Sequence, residues 1–202
     1  MNDRTNNHAD GSARTDAARK RARSPEKTVA LRKYLEFTRE NAEGGDGEAM
    51  HRFGRWYQFG LHGLPQDAAQ ARAWYERSAA VRYPEGIAAF GECLLLGDGG
   101  PKEIVRGMVN VTEAAHLRSE LGAYLLGWAF FNGHFRYGLR RDPARARSWL
   151  KRVVGGRWKF KSKSLSDAEK ANAARWLREL STRAYQEQVK QEANRPLPSL
   201  LL

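Results

Sequence analysis

Three segments of this chain are printed in one frame, and that frame narrows the possible folds more than any other feature. Gly54–Gly60 reads GRWYQFG, Gly91–Gly97 reads GECLLLG and Gly127–Gly133 reads GWAFFNG, each of the form Gly-x-x-large apolar-x-x-Gly. Phe53, Phe90 and Leu126 precede the first glycines, which stand 37 and 36 residues apart. A period of this length belongs to helical solenoids. Two glycines in one helical segment each cost up to about 1 kcal/mol relative to alanine, so each needs a reason. The first glycine of each copy is expected to let a paired helix approach closely. The second is expected to end the helix in a left-handed turn.

A second motif follows two of the copies. Asp67-Ala68-Ala69-Gln70-Ala71-Arg72-Ala73-Trp74-Tyr75 and Asp142-Pro143-Ala144-Arg145-Ala146-Arg147-Ser148-Trp149-Leu150 share Asp-x-Ala-x-Ala-Arg-x-Trp-large apolar. Asp67 and Asp142 are placed to accept hydrogen bonds from first-turn amides, and Pro143 stands where its missing N–H costs nothing. Similar turns precede them, Gly63-Leu64-Pro65-Gln66 and Gly138-Leu139-Arg140-Arg141. In the middle copy, Pro101 to Leu117, the Asp, Ala and Trp are replaced by Glu103, Gly107 and Asn110.

A helix with Gly-x-x-Tyr-x-x-Gly, a glycine-containing turn and a helix with Asp-x-x-x-Ala-x-x-Trp-Tyr resemble the Sel1-like repeat, a relative of the tetratricopeptide repeat. The resemblance covers residues 47 to 155. It departs from the pattern in the middle copy and in a two-residue insertion near His134 to Tyr137. It implies an all-α fold, an α-solenoid of about three helix-turn-helix repeats, and a binding adaptor without catalytic residues. Stacked repeats need terminal caps with a polar outer side. Residues 25–41 carry a helical stripe of Val29, Leu31, Tyr34, Leu35 and Thr38 and are expected to form the N-terminal cap helix. Ser166 and Glu169 have capping-box spacing and open a helix expected over 166–192, with 156–165 as a basic loop before it. The solenoid thus spans 24–192, in eight helices.

The flanks differ in kind. Residues 1–23 have no large apolar side chain after Met1 and are expected to be a disordered basic and polar tail. Residues 193–202 form a short, proline-broken apolar tail. The N-terminus has no apolar segment of a secretory signal, no apolar run approaches the roughly 18–20 residues of a membrane span, and Cys93 is the lone cysteine. A cytoplasmic protein is therefore expected, with non-classical export as an effector as an alternative.

On a helical projection His51, Arg52, Arg55, Trp56 and Phe59 share the face that stacked repeats turn to the groove, if this chain follows its relatives. Tyr124 and Trp128 hold equivalent positions in the third copy. Aromatic and arginine side chains are the types enriched at binding hot spots, so Arg55, Trp56, Tyr124 and Trp128 are the candidate protein-binding residues.

The net charge of +12 points to a second surface. Between Arg136 and Lys163 stand eleven Arg or Lys against a single Asp142. Arg152, Arg157, Trp158, Lys159, Lys161 and Lys163 interleave cations with an aromatic in a glycine-hinged stretch and form a candidate electropositive patch. An acidic protein surface is its expected partner. Nucleic acid is the alternative, although no base-reading motif accompanies the patch. The five histidines lack metal-ligand spacing and no phosphate loop occurs, so neither enzyme chemistry, a metal nor a cofactor is expected.

Overall fold

The computed structural model describes residues 25–133, 140–155, 159–160 and 164–194. Among them nine helices follow one another: α1 (Pro25–Glu43), α2 (Gly47–Phe59), α3 (Ala68–Ala80), α4 (Pro84–Leu96), α5 (Ile104–His116), α6 (Glu120–Asn132), α7 (Pro143–Val154), α8 (Asp167–Glu179) and α9 (Arg183–Ala193). The expected tail at 1–23 lies outside the described residues, and of the one expected at 193–202 only Ala193, the last residue of α9, and its cap Asn194 are described. Three helix pairs, α2/α3, α4/α5 and α6/α7, stack in sequence order. Alternate helices α2, α4, α6 and α8 also touch in succession, so contact runs between near neighbours as in a solenoid.

The glycines divide the work as the motif suggests. A Cβ on Gly54 would come within 2.4 Å of the Tyr75 ring, and one on Gly127 within 2.6 Å of Leu150 Cδ2. Tyr75 and Leu150 occupy the same motif position and are almost wholly buried. At the other end Gly60 (φ 61°) and Gly97 (φ 83°) close their helices in the left-handed region. Asp67 and Asp142 each accept a hydrogen bond from the amide three residues on, at 3.0 and 2.9 Å.

The middle pair is as regular as its neighbours despite its eroded motif. Gly91 and Gly107 face each other, and a Cβ on either would approach the other's carbonyl oxygen to 3.0 or 2.9 Å. Val111 stands where Tyr75 and Leu150 stand and is fully buried. Glu103 makes no capping bond from its side chain. Its carboxylate instead pairs with Arg72 at 3.1 Å and Arg106 at 3.4 Å, tying α5 to the preceding repeat. The turns out of α3 and α5 also match, with Arg82 (φ 59°) and Arg118 (φ 68°) both left-handed.

The helix expected over 166–192 is two helices. Leu180 is buried, and Thr182 accepts a hydrogen bond from the Tyr185 amide, starting α9 afresh. The break lets Tyr185 turn inward, donating its hydroxyl to the Phe131 carbonyl at 2.6 Å and stacking on the Phe131 ring at 4.9 Å. A continuous helix would carry that side chain past the body of the repeats.

A concave pocket between the repeats and the C-terminal cap

Equivalent positions of α2, α4 and α6 show which side chains the stack hides. The residue two after the first glycine is Trp56, Cys93 or Ala129, and all three are buried. Trp56 packs on Phe53 at 4.8 Å, on Tyr34 of α1 at 5.6 Å and on His62 at 4.9 Å. Cap helix α1 covers the side of α2 where a preceding repeat would lie. Burial pushes the Cys93 thiol up to about 12, so it is a packing group and not a reactive thiolate.

His51, placed on the groove face by projection, is likewise buried, between Tyr75 at 5.6 Å and Tyr83 at 5.8 Å. Burial, with Arg55 and Arg52 nearby, holds its imidazole near 3, so it is neutral.

The residue one after the first glycine follows another rule. Arg55 is exposed, with its guanidinium 6.0 Å from the Phe59 ring centre, while Glu92 and Trp128 are partly buried. One turn further along, Phe59 is 55% exposed and Leu96 is 50% exposed. This row is the accessible line across the stack. It deepens between the second and third repeats into a cavity of about 230 Å³, lined by Glu92, Leu95, Leu96, Tyr124, Leu125, Trp128 and Trp176.

Two of the sequence candidates, Tyr124 and Trp128, therefore line one pocket. Arg55 stands further along the row, and Trp56 lies beneath it. Trp176 was missed from the sequence, where its spacing in α8 reads as core. It stacks on Tyr124 at 5.3 Å and forms the wall that the cap contributes.

Glu92 is the one acidic side chain lining this pocket. Burial, with Glu169 and Asp98 adding negative charge, pushes its carboxyl up to about 7. Burial also raises the Tyr124 hydroxyl above its ordinary range.

The basic segment is only partly described. Arg157, Trp158, Lys161 and Lys163 lie outside the described residues. Lys159 is exposed, and the Arg152 guanidinium lies 4.1 Å from the Trp149 ring centre. Two further arginines of the segment serve the cap. Arg140 donates to the carbonyls of Glu192 and Ala193 at 2.7 Å, and Arg141 to the carbonyl of Asn132 and to Gln188.

Comparison with known proteins places this architecture. Residues 47–80 and 121–152, the first and third helix pairs, match the sequence model of the Sel1 repeat. These two stretches of the chain are Sel1 repeats. A solved Sel1 repeat protein from Oxalobacter formigenes is similar in fold, with a TM-score of 0.51 at 23% identity over 70% of this chain and 98% of that one. The c5321 protein, a protective antigen of uropathogenic Escherichia coli strains with the same repeat fold, gives a TM-score of 0.37 at 18% identity, over 79% of this chain and 39% of that chain.

Sel1-repeat proteins are non-catalytic scaffolds for protein–protein interaction, and that is the general role of this chain. Among the described residues no group of three or more His, Cys, Asp or Glu is placed to hold a metal, and no helix is long and apolar enough to cross a membrane.

Proposed function

We propose that this chain captures a peptide segment of a partner protein on the concave row, with its anchor in the pocket between α4, α6 and α8. The pocket itself carries the reading. Its volume of about 230 Å³ suits one or two side chains, three of its walls are aromatic, and Leu96 is 50% exposed beside them. Aromatic groups already fixed by packing bind with little further loss of side-chain entropy. Trp128 and Tyr124 are the contact residues in this reading, Arg55 meets the outer end of the segment, and Trp56 supports the row from below. Arg152, Arg157, Trp158, Lys159, Lys161 and Lys163 act separately, as a positive surface whose field draws in a partner that is acidic overall.

Selection of a random seven-residue peptide library on the full chain tests the reading. Selected peptides are expected to bind Trp128→Ala and Leu96→Ser at least tenfold more weakly. They are expected to bind Val105→Ser, altered at a position 74% exposed on α5, as they bind the parent. Helix content by circular dichroism controls for folding. Peptides that bind all three variants like the parent chain would place recognition elsewhere.

A further inference from the structure

The pocket contains a charge that its apolar walls do not explain. Among the described residues no side chain or backbone group gives the Glu92 carboxylate a hydrogen bond or an ion pair, although this chain has twelve more basic than acidic residues. Glu92 is partly buried; carboxylates buried outright are ordinarily paired, because an unpaired one in low dielectric is costly. The two buried outright in this fold obey that rule. Glu85 accepts from the Ser119 hydroxyl at 2.5 Å and the Glu120 amide at 3.1 Å. Glu120 accepts from the amides of Ser164 and Leu165 at 2.8 and 3.0 Å.

The charges around Glu92 leave it wanting a cation. Asp98, just beyond the end of its own helix, and Glu169, on α8, both act on it and both are negative. From α6 it meets the neutral Tyr124 hydroxyl, and towards α3 the neutral Tyr75. Arg55 on α2 acts on His51 and Tyr75, and Arg175 on α8 acts on Tyr124. Neither arginine forms a salt bridge with Glu92. Tyr124, Trp128 and Trp176 line the same pocket. A partly desolvated carboxylate with aromatic walls is complementary to an ammonium or guanidinium group on an aliphatic stem.

Resting on the groove reading above, we infer that this pocket recognises one basic side chain, a lysine or arginine, presented by a partner peptide between apolar neighbours. The stem lies against Leu96 and the rings, and the cation pairs with Glu92. This sets the pocket apart from the positive surface of the C-terminal segment. A partner acidic overall that offers one basic anchor satisfies both. Because burial and its acidic neighbours push the Glu92 carboxyl up to about 7, seating a cation beside it favours the loss of its proton, so binding is coupled to pH.

Three pools of fluorescein-labelled heptapeptides test this, with the central residue fixed as lysine, norleucine or glutamate and random apolar residues on either side. At pH 8 and low salt the lysine pool is expected to bind the full chain at least tenfold more tightly than the norleucine pool, and the glutamate pool most weakly. The lysine preference is expected to shrink several-fold at pH 5.5 and to vanish in Glu92→Gln. Calorimetry in buffers of different ionisation enthalpy is expected to show proton release when the lysine pool binds at pH 6.5. Equal binding of the lysine and norleucine pools at pH 8, with both weakened by Trp128→Ala, would overturn this inference and leave the groove reading standing. Indifference of every pool to Trp128→Ala would remove both. Self-association of the chain that Glu92→Gln abolishes would assign the pocket to a second copy and also overturn it.

Discussion

At the level of single residues, the first glycine of each repeat sets how closely its helix pair can approach. Gly127→Ala puts a Cβ within 2.6 Å of Leu150 Cδ2 and 2.8 Å of its Cγ, in a region with no room to give. Overpacking of this kind costs about 1–3 kcal/mol, which exceeds the gain in helix propensity from alanine. Chemical denaturation is expected to show that loss. In the Leu150→Ala background, where the clash is gone, Gly127→Ala is expected to be neutral or stabilising. His51 makes a second prediction at this scale. Its folded value near 3 lies below the ordinary 6.5, so the unfolded chain binds the extra proton. Its contribution to stability is whole above pH 6.5 and is lost as pH falls from there towards 3, amounting at the limit to about 5 kcal/mol. Denaturation midpoints are expected to fall steeply between pH 6.5 and 4 in the parent and less steeply in His51→Gln.

Between elements, the sequence disclosed more of the frame than of its closure. The repeated glycines, Asp67 and Asp142 were readable because their roles are local: a close approach, a left-handed turn, a first-turn amide. Trp56 was read for the groove because a projection of one helix does not register what α1 lays against it. The α8–α9 break was hidden for a similar reason, since Leu180 and Tyr185 continue a helical stripe and only packing on Phe131 makes the turn worthwhile. The tie between repeat and cap was equally out of reach. Glu85 and Glu120 look like ordinary first-turn acids, yet they hold Ser164 and Leu165 from 44 to 79 residues away. Lys170 Nζ closes the group 3.6 Å from Glu120. Glu120→Ala leaves two amides without their acceptor, at about 1–3 kcal/mol each. Hydrogen exchange is expected to quicken in residues 164–185 well before α2 to α5 respond. Uniform acceleration along the chain would mean that the cap and the repeats unfold as one unit.

For the whole molecule, a stack whose contacts run between near neighbours is only as complete as its ends. The cap at the N-terminal end is a single helix, and it buries Trp56. The one at the C-terminal end is a pair, and it both seals the last repeat and supplies a wall of the pocket through Trp176. Stability and recognition are thus joined at α8, whose ring stacks on Tyr124 at 5.3 Å and on Phe131 at 5.8 Å. A chain truncated after Gly155 keeps the three repeats but uncovers the Tyr124 and Phe131 rings on which Trp176 and Tyr185 stack, apolar surface of the kind that drives association. Light scattering after gel filtration is expected to find the truncated chain self-associated at concentrations where the full chain runs as a smaller species. Its α2 to α5 amides are expected to remain protected in hydrogen exchange, since their neighbours are intact. Trp176→Ala makes a milder version of the same lesion: the cap stays attached through Tyr185 and the Glu120 contacts, while the pocket loses a wall. Its loss of peptide affinity is therefore expected to exceed what its loss of stability explains. If affinity and stability instead fall together, the cap serves only to close the stack, and the recognition surface ends at α6.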